Sequence, residues 1–280
     1  RQLVAILQAE RPDVAYVHTF MEPAAATVLV RAQPTVFFAH THDLYCPAGS
    51  KHLQRTDRVC PHRPGAICFV QAYLERCQSR TPLALARNYL EMMRMRWWAQ
   101  HVDLIQVDSE YMKARLVVAG YRSDRVAILP PQVRIPKLAH PKPPASSPPR
   151  VLFAGRLTPQ KGFRHLLEAV RRSRSSYRLI VAGEGYERAE SRALAERRGV
   201  GARVEFLGWV DRQGIGDLYD TCSVVVVPSV WPEPFGLVGP EAMAHARPVV
   251  AFSVGGIPEW LEDGVTGFLV PPRDARRLAE

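Results

Sequence analysis

Short apolar runs alternate with longer amphipathic segments along the second half of the chain. The clearest run, residues 223–227, is β-branched and lacks polar alternation, which is typical of a strand buried on both faces of a parallel sheet. Repeated alternation of this kind predicts an α/β fold built on a doubly wound parallel sheet. The predicted strands span 151–154, 178–182, 204–207, 223–227, 249–252 and 268–270, and the predicted helices span 162–173, 186–198, 213–221 and 238–245.

The first half repeats this alternation less completely. A stretch at 43–80 has no clear period and is predicted to be irregular. Ser109 suits the N-cap of a following helix, and Gly120 suits its end. The predicted helices span 1–10, 22–32, 82–101 and 110–118, and the predicted strands span 14–18, 35–39, 104–107 and 126–129.

The long helix at 82–101 has two distinct faces. Its apolar residues recur at three- and four-residue steps, which favours a stripe packed on the core. Arg87, Arg94 and Trp98 fall on another face, which is either a solvated side or a surface that rests on an anionic membrane. The apolar stripe comprises Leu83, Ala86, Leu90, Met93 and Trp97.

A proline-rich segment divides the chain into two parts. Proline fixes φ and removes a backbone donor, so this segment suits neither a central strand nor a helix interior. We predict an N-terminal domain over 1–137, a linker over 138–150 and a C-terminal domain over 151–280. Because the chain opens at Arg1, without Met and within a helix-like stretch, we expect it to be a truncated form.

Composition and charge narrow the class of protein. With 47% hydrophobic and 23% charged residues over 280 positions, the chain is typical of a globular protein and not of a disordered or fibrous one. The sequence has no apolar run near the ~20 residues of a membrane-spanning helix. It also has no basic-then-apolar signal peptide, and we expect a cytoplasmic protein.

Basic charge is concentrated in the first half. Residues 1–150 carry 20 Lys and Arg against 11 Asp and Glu, a net charge of +9, whereas residues 151–280 carry 17 against 16, a net charge of +1. This asymmetry indicates an anionic partner, which could be nucleic acid, anionic lipid or a phosphorylated substrate. Nucleic acid is disfavoured, because the sequence has no zinc-finger spacing, no RNP-like strand and no Lys/Arg-rich run.

A glycine-rich loop, GRLTPQKG at 155–162, follows the first predicted strand of the second half and leads into a helix. Glycine permits tight turns, and a helix N-terminus beside Arg156 and Lys161 suits a diphosphate. A solvated loop with two surface cations is the plainer alternative. The loop is neither a P-loop nor a GxGxxG dinucleotide motif. Gly183 and Glu184 lie in a similar loop after the next strand.

Two carboxylates eight positions apart mark the last third of the chain. Glu233 lies in a loop, and Glu241 lies in the helix that follows. The amides of Gly236 and Leu237 at the helix start suit an anion or sugar hydroxyls. A carboxylate accepts paired hydrogen bonds from vicinal hydroxyls, so this pair could hold two sugars. Alternatively, one is an ordinary loop acid and the other an ordinary helix acid.

These motifs as a set resemble the family-four retaining glycosyltransferases, also called glycosyl transferases group 1, of the two-Rossmann GT-B fold. The likeness rests on the Glu233-x7-Glu241 spacing, with GRLTPQKG before it and GGIPEWLEDGVTGFLV after it, and it covers nearly all of 151–280. It implies two doubly wound parallel-sheet domains that face a cleft, the first of them incomplete. It also implies a donor that is bound mostly on the second domain.

The resemblance implies roles for individual residues. Arg156 and Lys161 would hold the nucleotide diphosphate. Glu233 would contact the donor sugar near the reacting carbon, and Glu241 would contact the ribose. Further donor contacts would come from Gly155, Gly183 and Glu184, from a turn at Gly208 and Trp209 near the base, and from the amides of Phe235, Gly236 and Leu237.

The first half resembles the family's acceptor domain more loosely. The strand at 35–39 runs into HTHDLYCP, and a strand-end His in that domain faces the donor sugar. His40 and His42 both suit this role: the distance to the Cys-Pro pair favours His40, and the following Asp favours His42. The family's opening strand with its Gly-rich loop, and its closing helices, have no counterpart in this sequence.

Four cysteines fall within the stretch predicted to be irregular, and a fifth lies apart near a strand. Their spacing is not CxxC, so the zinc signal is weak. A structural metal, disulfides and reduced thiols without a role are three alternatives, of which a cytosolic location disfavours the second. No catalytic metal is predicted. The clustered residues are Cys46, Cys60, Cys68 and Cys77, and the separate one is Cys222.

The sequence and the resemblance predict a retaining glycosyltransferase. It would move a sugar from a nucleotide-diphosphate sugar to a saccharide, lipid-linked or phosphorylated acceptor, with no cofactor and no metal. A nucleotide-sugar epimerase or dehydrogenase is disfavoured by the missing GxGxxG motif. A non-catalytic nucleotide-sugar-binding module, or an inactive truncated fragment, is the alternative from another class. We expect peripheral contact with the inner face of an anionic membrane.

Overall fold

The chain forms two compact units, which span 1–130 and 131–280. Each is an α/β unit built on a sheet of parallel strands. Most of the linker predicted at 138–150 lies outside the described residues, so its extent stays a prediction. The computed structural model describes residues 2–18, 23–136 and 147–280.

Helices and strands alternate through most of the first unit. In chain order they are α1 (Gln2–Glu10), β1 (Ala15–Val17), α2 (Pro23–Ala32), β2 (Thr35–Phe38), β3 (His52–Leu53), β4 (Arg58–Val59), α3 (Ile67–Glu75), α4 (Pro82–Ala99), β5 (Leu104–Val107), α5 (Glu110–Val118) and β6 (Val126–Ile128). A four-stranded parallel sheet has the order β1-β2-β5-β6, while β3 and β4 pair with each other in antiparallel fashion.

The core of the first unit lies against this sheet. Trp98 of α4 packs edge-on against Phe37 of β2, with ring centroids 4.8 Å apart. The Trp98 Nε1 donates to the carbonyl of Ala26 at 3.1 Å. Ser109 caps α5, as predicted, because its hydroxyl accepts a hydrogen bond from the amide of Met112. These contacts pack α4 against β2 and place the start of α5 just after β5.

The stretch at 43–80 is more regular than predicted. It contains the β3–β4 hairpin and the nine-residue helix α3. Strands of two residues are too short to show polar and apolar alternation. In α3, every residue of which is described, only Ala72 is fully buried. A helix without a buried stripe shows no helical period in its sequence, so the prediction of an irregular stretch was wrong.

Helix α4 turns a different face to the core than the sequence predicted. The predicted core stripe points outward: Leu83 is 83% exposed and Trp97 is 49% exposed. Trp98, predicted to lie on the face of the two arginines, is buried instead. Helix α4 has apolar residues on several sides, and periodicity alone does not tell which side packs inward. The buried residues of α4 are Leu85, Met92, Met95, Trp98 and Ala99.

The second unit alternates strand and helix throughout its described residues. In chain order its elements are β7 (Arg150–Ala154), α6 (Phe163–Arg172), β8 (Arg178–Ala182), α7 (Arg188–Arg197), β9 (Val204–Gly208), α8 (Arg212–Thr221), β10 (Val224–Val227), α9 (Val238–Ala244), β11 (Val249–Phe252), β12 (Gly267–Val270) and α10 (Ala275–Ala279). The predicted elements of this half are all present, with ends that differ by one or two residues. The five-residue helix α10 was not predicted.

The six strands of the second unit form one parallel sheet in the order β12-β11-β10-β7-β8-β9. Numbered from β7, this is the Rossmann order, in which the direction of winding reverses between the first and fourth strands. Here that switch point lies between β7 and β10. Hydrophobic clusters cover both faces of the sheet, and their centres include Phe163 on one side and Phe252 on the other.

Candidate functional site

The loops after β7 and β8 lie side by side, and glycines make their contact possible. Gly155 and Gly183 have φ of +156° and +150°, a region that favours glycine. A Cβ on Gly183 would lie 1.9 Å from the carbonyl oxygen of Gly155. The Gly155 amide donates to the carbonyl of Ala182 at 2.9 Å, so strand pairing continues into the loops. Both glycines therefore stand at the carboxyl edge of the sheet.

The turn after β9 joins the same edge. The Gly183 amide donates to the Gly208 carbonyl at 2.7 Å. The next residue, Trp209, is 76% exposed, so its indole ring is uncovered. Glu184 accepts a hydrogen bond from Arg188 at 2.6 Å. A Cβ on Gly208 would lie 2.7 Å from Glu184 Oε1, so the predicted donor residues of these two loops are neighbours.

At the switch point, the loops after β7 and β10 meet. Gly162 has a φ of +64°, and a Cβ on it would lie 2.0 Å from the carbonyl oxygen of Pro228. The amide of Val230 donates to the carbonyl of Gln160 at 2.9 Å. Open α/β sheets bind their ligands in the crevice at such a switch point. The glycine-rich loop at 155–162 therefore lies where the fold favours a ligand site.

One ion pair joins these two loops. Lys161 Nζ donates to Glu233 Oε1 at 2.6 Å, across 72 positions of sequence. The hydroxyl of Ser229 donates to the same oxygen at 2.6 Å. Lys161 Nζ also lies 5.5 Å from the centroid of the Trp231 ring. Glu233 is 4% exposed, so this carboxylate is a buried group held from two sides.

The Glu233 carboxyl is ionised in this setting. Burial alone would raise its pKa, but the ammonium of Lys161 and the hydrogen bonds from Lys161 and Ser229 outweigh burial and hold the pKa below its usual range. A buried carboxylate of this kind stays ionised because a cation lies beside it. The pair therefore supplies a fixed negative charge beside a cation that still has protons to donate.

Arg156 lies on the same loop as Lys161 but in a different state. It is exposed, and within the described ranges no carboxylate pairs with it. Lys161 is half-buried. Its ammonium has three N–H donors, and one of them donates a hydrogen bond to Glu233. An incoming anion can therefore bind Arg156 without breaking an ion pair, whereas Lys161 must serve the anion and Glu233 together.

The loop that leads from Glu233 into α9 is held by Trp260. The Trp260 Nε1 donates to the Phe235 carbonyl at 2.6 Å, and a Cβ on Gly239 would lie 1.9 Å from the Trp260 ring. Gly236 has a φ of +87°. Among the residues that the structure describes, no backbone carbonyl accepts from the amides of 235–237. These amides are therefore available to a ligand.

Glu241 has a partner that the sequence did not indicate. The hydroxyl of Tyr219, on α8, donates to Glu241 Oε2 at 3.2 Å. Tyr219 is buried, and its burial and then the charge of Glu241 raise the pKa of its hydroxyl, so Tyr219 stays a neutral donor. Glu241 is half-buried on α9. Its orientation is set by this contact, which an ordinary surface acid would lack.

In the first unit, two histidines follow neighbouring strands. His18 comes after β1 and His40 after β2, and His18 Nδ1 lies 3.2 Å from His40 Nε2. Their rings stack with an interplanar angle of 22°. Partial burial, and then the charge of His18, hold the pKa of His40 below the usual 6.5. The neutral form of His40 is therefore favoured at neutral pH.

His42 occupies a different environment from His40. It is fully buried, and its Nδ1 lies 2.5 Å from the hydroxyl oxygen of Tyr45. Tyr45 in turn contacts Met112 Sδ at 3.7 Å. A His enclosed in this way holds its loop in place. Of the two candidates that the sequence left open, His40 is the exposed one.

Sequence reasoning missed His18, Asp108 and Tyr219. Asp108 directly follows β5, is 7% exposed, and burial raises the pKa of its carboxyl to about 6. Both His18 and Asp108 could have been found from one signal, a polar residue at the carboxyl end of a predicted parallel strand. Tyr219 has no comparable signal, because nothing local ties it to a residue 22 positions away.

The two parallel sheets define an α/β protein with two Rossmann-like domains. Residues 148–280 match the family described as "Glycosyl transferases group 1", and residues 1–135 match "Glycosyltransferase Family 4". The chain therefore belongs to the group 1 and family 4 glycosyltransferases, and the family that the sequence motifs predicted is confirmed.

Curated relatives match part of the chain. An uncharacterized glycosyltransferase of Methanocaldococcus jannaschii is 42% identical over 131 residues, which are 46% of this chain and 33% of that protein. The alpha-maltose-1-phosphate synthase of Mycobacterium tuberculosis is 43% identical over 128 residues, which are 44% of this chain and 33% of that protein. The matched region thus spans about a third of the length of these relatives.

A solved structure matches nearly the whole chain. The structure of Anabaena HepE in complex with UDP has a TM-score of 0.66 and 22% identity, and the match covers 99% of this chain and 70% of that one. At this identity the likeness shows the fold. The predicted GT-B fold class is confirmed.

Proposed function

We propose that this chain is the core of a retaining glycosyltransferase that uses a nucleotide-diphosphate sugar. The observation that carries the proposal is the Lys161–Glu233 pair, 2.6 Å long, at the switch point of the second sheet. It places a cation for a diphosphate next to a buried anion for a sugar, in a chain of glycosyltransferase families. In a non-catalytic binding module, the same pair would only hold the donor.

The donor contacts in this proposal follow the loops of the second unit. Arg156 and Lys161 bind the diphosphate, and the amides of 235–237 add further donors. Glu241 accepts hydrogen bonds from the ribose. The exposed ring of Trp209 suits stacking with the base. Uridine is the base to test first, because the HepE structure contains UDP.

The reaction in this proposal retains the anomeric configuration. The acceptor hydroxyl attacks the anomeric carbon from the face that the diphosphate leaves, and its proton passes to the departing phosphate oxygen. Arg156, Lys161 and the loop amides stabilise the negative charge that grows on the diphosphate, and Glu233 stabilises the positive charge that grows on the sugar. His40, rather than His42, is the strand-end His that we assign to the donor sugar. No cofactor and no catalytic metal take part.

The experiment that tests this proposal is a donor screen with the full chain, using mass spectrometry of the products and NMR of the new anomeric centre. We expect transfer or slow hydrolysis of one nucleotide sugar, with the donor's configuration kept and no need for added divalent metal. An inverted product would contradict the retaining mechanism. Donor binding without transfer or hydrolysis would favour the non-catalytic module.

The acid side of the activity profile should depend on His18. If neutral His40 is the active form, activity falls as pH drops through the pKa of His40, which lies below 6.5. His18→Asn removes the neighbouring charge that disfavours protonation of His40, so the pKa of His40 rises and the acid limb moves to higher pH. The pH profile of kcat/KM measures this. His101→Asn, at an exposed His of the same unit, should leave the limb in place, and an unmoved limb in His18→Asn would speak against His40.

The acceptor in this proposal is a saccharide, a lipid-linked compound or a phosphorylated compound, and the first unit rests on an anionic membrane. No helix in the described ranges is long and apolar enough to span a bilayer. The support is the outward face of α4, defined as Leu83, Leu90, Met93, Trp97, Arg87 and Arg94, which combines exposed apolar side chains with exposed arginines. Such a combination is typical of helices that lie in a membrane interface. We propose the cytoplasm as the compartment, since its reducing conditions suit the five free cysteines.

The outward face of α4 predicts binding to anionic vesicles at low salt. Each arginine near an anionic surface contributes about 1 kcal/mol, so Arg87→Glu with Arg94→Glu should release the protein while donor binding is kept. Co-sedimentation with phosphatidylserine vesicles measures this. Arg174→Glu with Arg197→Glu, at exposed positions of the second unit, makes the same change in net charge and should still bind. If wild-type protein does not co-sediment with these vesicles at low salt, the membrane contact is ruled out.

A further inference from the structure

The four clustered cysteines surround one small cavity in the first unit. It has a volume of about 20 Å³, and all four cysteines line it. A single water needs about 10–15 Å³, so the cavity has room for one atom or ion.

Two backbone amides point at the sulfur of Cys46. The amide of Lys51 points at Cys46 Sγ from 3.4 Å, and the amide of Ala48 also donates to it. The amide of Cys60 bonds to the Lys51 carbonyl at 2.7 Å, which ties the β3–β4 hairpin to this turn. These contacts hold the sulfur in place beside the cavity, and they would stabilise the thiolate that forms when a metal displaces the thiol proton.

A buried cation lies beside the cavity without an acidic partner. Lys51 lines the cavity and is 3% exposed. Its ammonium donates to the His62 carbonyl and lies 5.8 Å from the Tyr45 ring centroid. In the part of the chain that the structure describes, no carboxylate forms an ion pair with Lys51. A buried ammonium is costly unless a negative group compensates it, and this cavity is the place where such a group would lie.

A second polar side chain at the cavity is also unsatisfied. His52 is 1% exposed and lines the cavity, and its Nδ1 has no hydrogen-bond partner among the described residues. Its Nε2 lies 3.4 Å from Asp57 Oδ1. Lys51 and His52 therefore both lack full polar compensation beside this cavity.

The segment that carries these thiols has little core of its own. None of residues 46–77, all of which are described, belongs to the hydrophobic core cluster of the first unit. Leu53 and Ala72 are its buried apolar residues, whereas Val70, Tyr73 and Leu74 of α3 are at least half exposed. Segments that cannot bury enough apolar surface are commonly held by disulfides or metals.

We propose that Cys46, Cys60, Cys68 and Cys77 bind one structural Zn²⁺ as a tetrathiolate that fastens segment 46–77. Four S–H groups release their protons to solvent and four Zn–S bonds form, so the step requires no oxidant and no reductant. The resulting centre carries a charge of −2, which Lys51 partly compensates. A cavity of one-atom size excludes an iron–sulfur cluster, and zinc is the single ion that structural sites of four cysteines commonly bind.

Metal binding would draw the sulfurs inward. As the side chains stand, no group of three His, Cys, Asp or Glu in the described residues is already arranged as a metal site. Rotation about χ1 moves a cysteine sulfur by up to about 3 Å with the backbone in place. Zn–S bonds are about 2.3 Å long, so four sulfurs that line one small cavity can reach a common ion through such rotations.

The test is the zinc content of the full chain, purified under reducing conditions and measured by inductively coupled plasma mass spectrometry. We expect about one zinc per chain, bound by thiolates. Cys60→Ser and Cys77→Ser should lower zinc content at least about tenfold, because three thiolates hold the ion far less tightly. Cys222→Ser, which removes a thiol from the second unit, is the matched control and should keep its zinc.

Two further measurements on the unmodified chain decide the matter if the cysteine variants fail to fold. Cobalt added to chelator-treated protein should give the visible absorption of tetrahedral thiolate coordination. Iodoacetamide should modify the four clustered thiols only after chelation. Protein that binds neither zinc nor cobalt, or in which these thiols are recovered as disulfides or react freely in the native state, would overturn the proposal. Neither result depends on the proposed transferase activity.

Discussion

Turnover should fall by about 10²–10³-fold when Glu233 is replaced by glutamine, while the affinity for free nucleoside diphosphate stays within about threefold. Glutamine keeps the shape of the side chain and removes only its charge. A negative charge next to the anomeric carbon of the donor sugar matters when positive charge develops there, and a free nucleoside diphosphate carries no donor sugar. The effect should therefore lie in kcat.

The measurement is steady-state kinetics alongside isothermal titration calorimetry with the diphosphate. Glu205→Gln, at an exposed position on β9, makes the same chemical change away from the site and should behave as wild type. A Glu233→Gln variant with normal kcat would show that the buried carboxylate serves only to hold Lys161. A parallel loss of diphosphate affinity would place Glu233 in nucleotide binding instead.

Replacing Lys161 by alanine should weaken diphosphate binding and also destabilise the second unit. The lost charge-assisted contact to the ligand should cost roughly 1.5–3 kcal/mol of binding free energy. Glu233, 4% exposed, would lose its cation. Leaving that carboxylate buried and unpaired should lower the free energy of unfolding by roughly 2–4 kcal/mol, measured by urea denaturation.

Two companion variants separate these effects. Lys161→Ala combined with Glu233→Gln should be more stable than Lys161→Ala alone, because the buried charge is gone. Arg156→Ala should weaken diphosphate binding by a similar roughly 1.5–3 kcal/mol without loss of stability, because Arg156 is exposed and forms no ion pair in the described ranges. If both single variants bind the diphosphate as tightly as wild type, neither cation belongs to the site.

The sequence predicted the second unit well because its signals are local. The valine run of β10 and the glycine loop at 155–162 each report on their own segment. The first unit carried weaker signals. Helix α4 has apolar residues on several sides. Which side packs inward depends on its contacts with Phe37 and Ala26, and the sequence period of α4 contains no information about these distant residues.

The sequence indicated which loops lie at one edge of the second sheet, but it did not indicate the contacts between them. Glycines at 155, 183 and 208 follow predicted strands, so a common edge could be inferred from the parallel sheet. The Lys161–Glu233 hydrogen bond spans 72 positions, and no local sequence pattern predicts it. The choice between His40 and His42 likewise needed burial, since both suit a strand end and only packing against Tyr45 separates them.

Binding of a nucleoside diphosphate at the switch point of the second sheet can be measured by NMR of the full chain with ¹⁵N-labelled tryptophan. The chain has five tryptophans. Trp209 and Trp231 flank the proposed site, Trp260 holds its loop, and Trp97 and Trp98 lie in the first unit as internal controls.

Titration with UDP, and with ADP and GDP in turn, should shift the indole signals of Trp209, Trp231 and Trp260 for at least one nucleotide. The signals of Trp97 and Trp98 should stay in place. The shifts should vanish at the same nucleotide concentration in the variant that combines Arg156→Ala with Lys161→Ala. Shifts confined to Trp97 and Trp98, or shifts that persist unchanged in the double variant, would contradict the account.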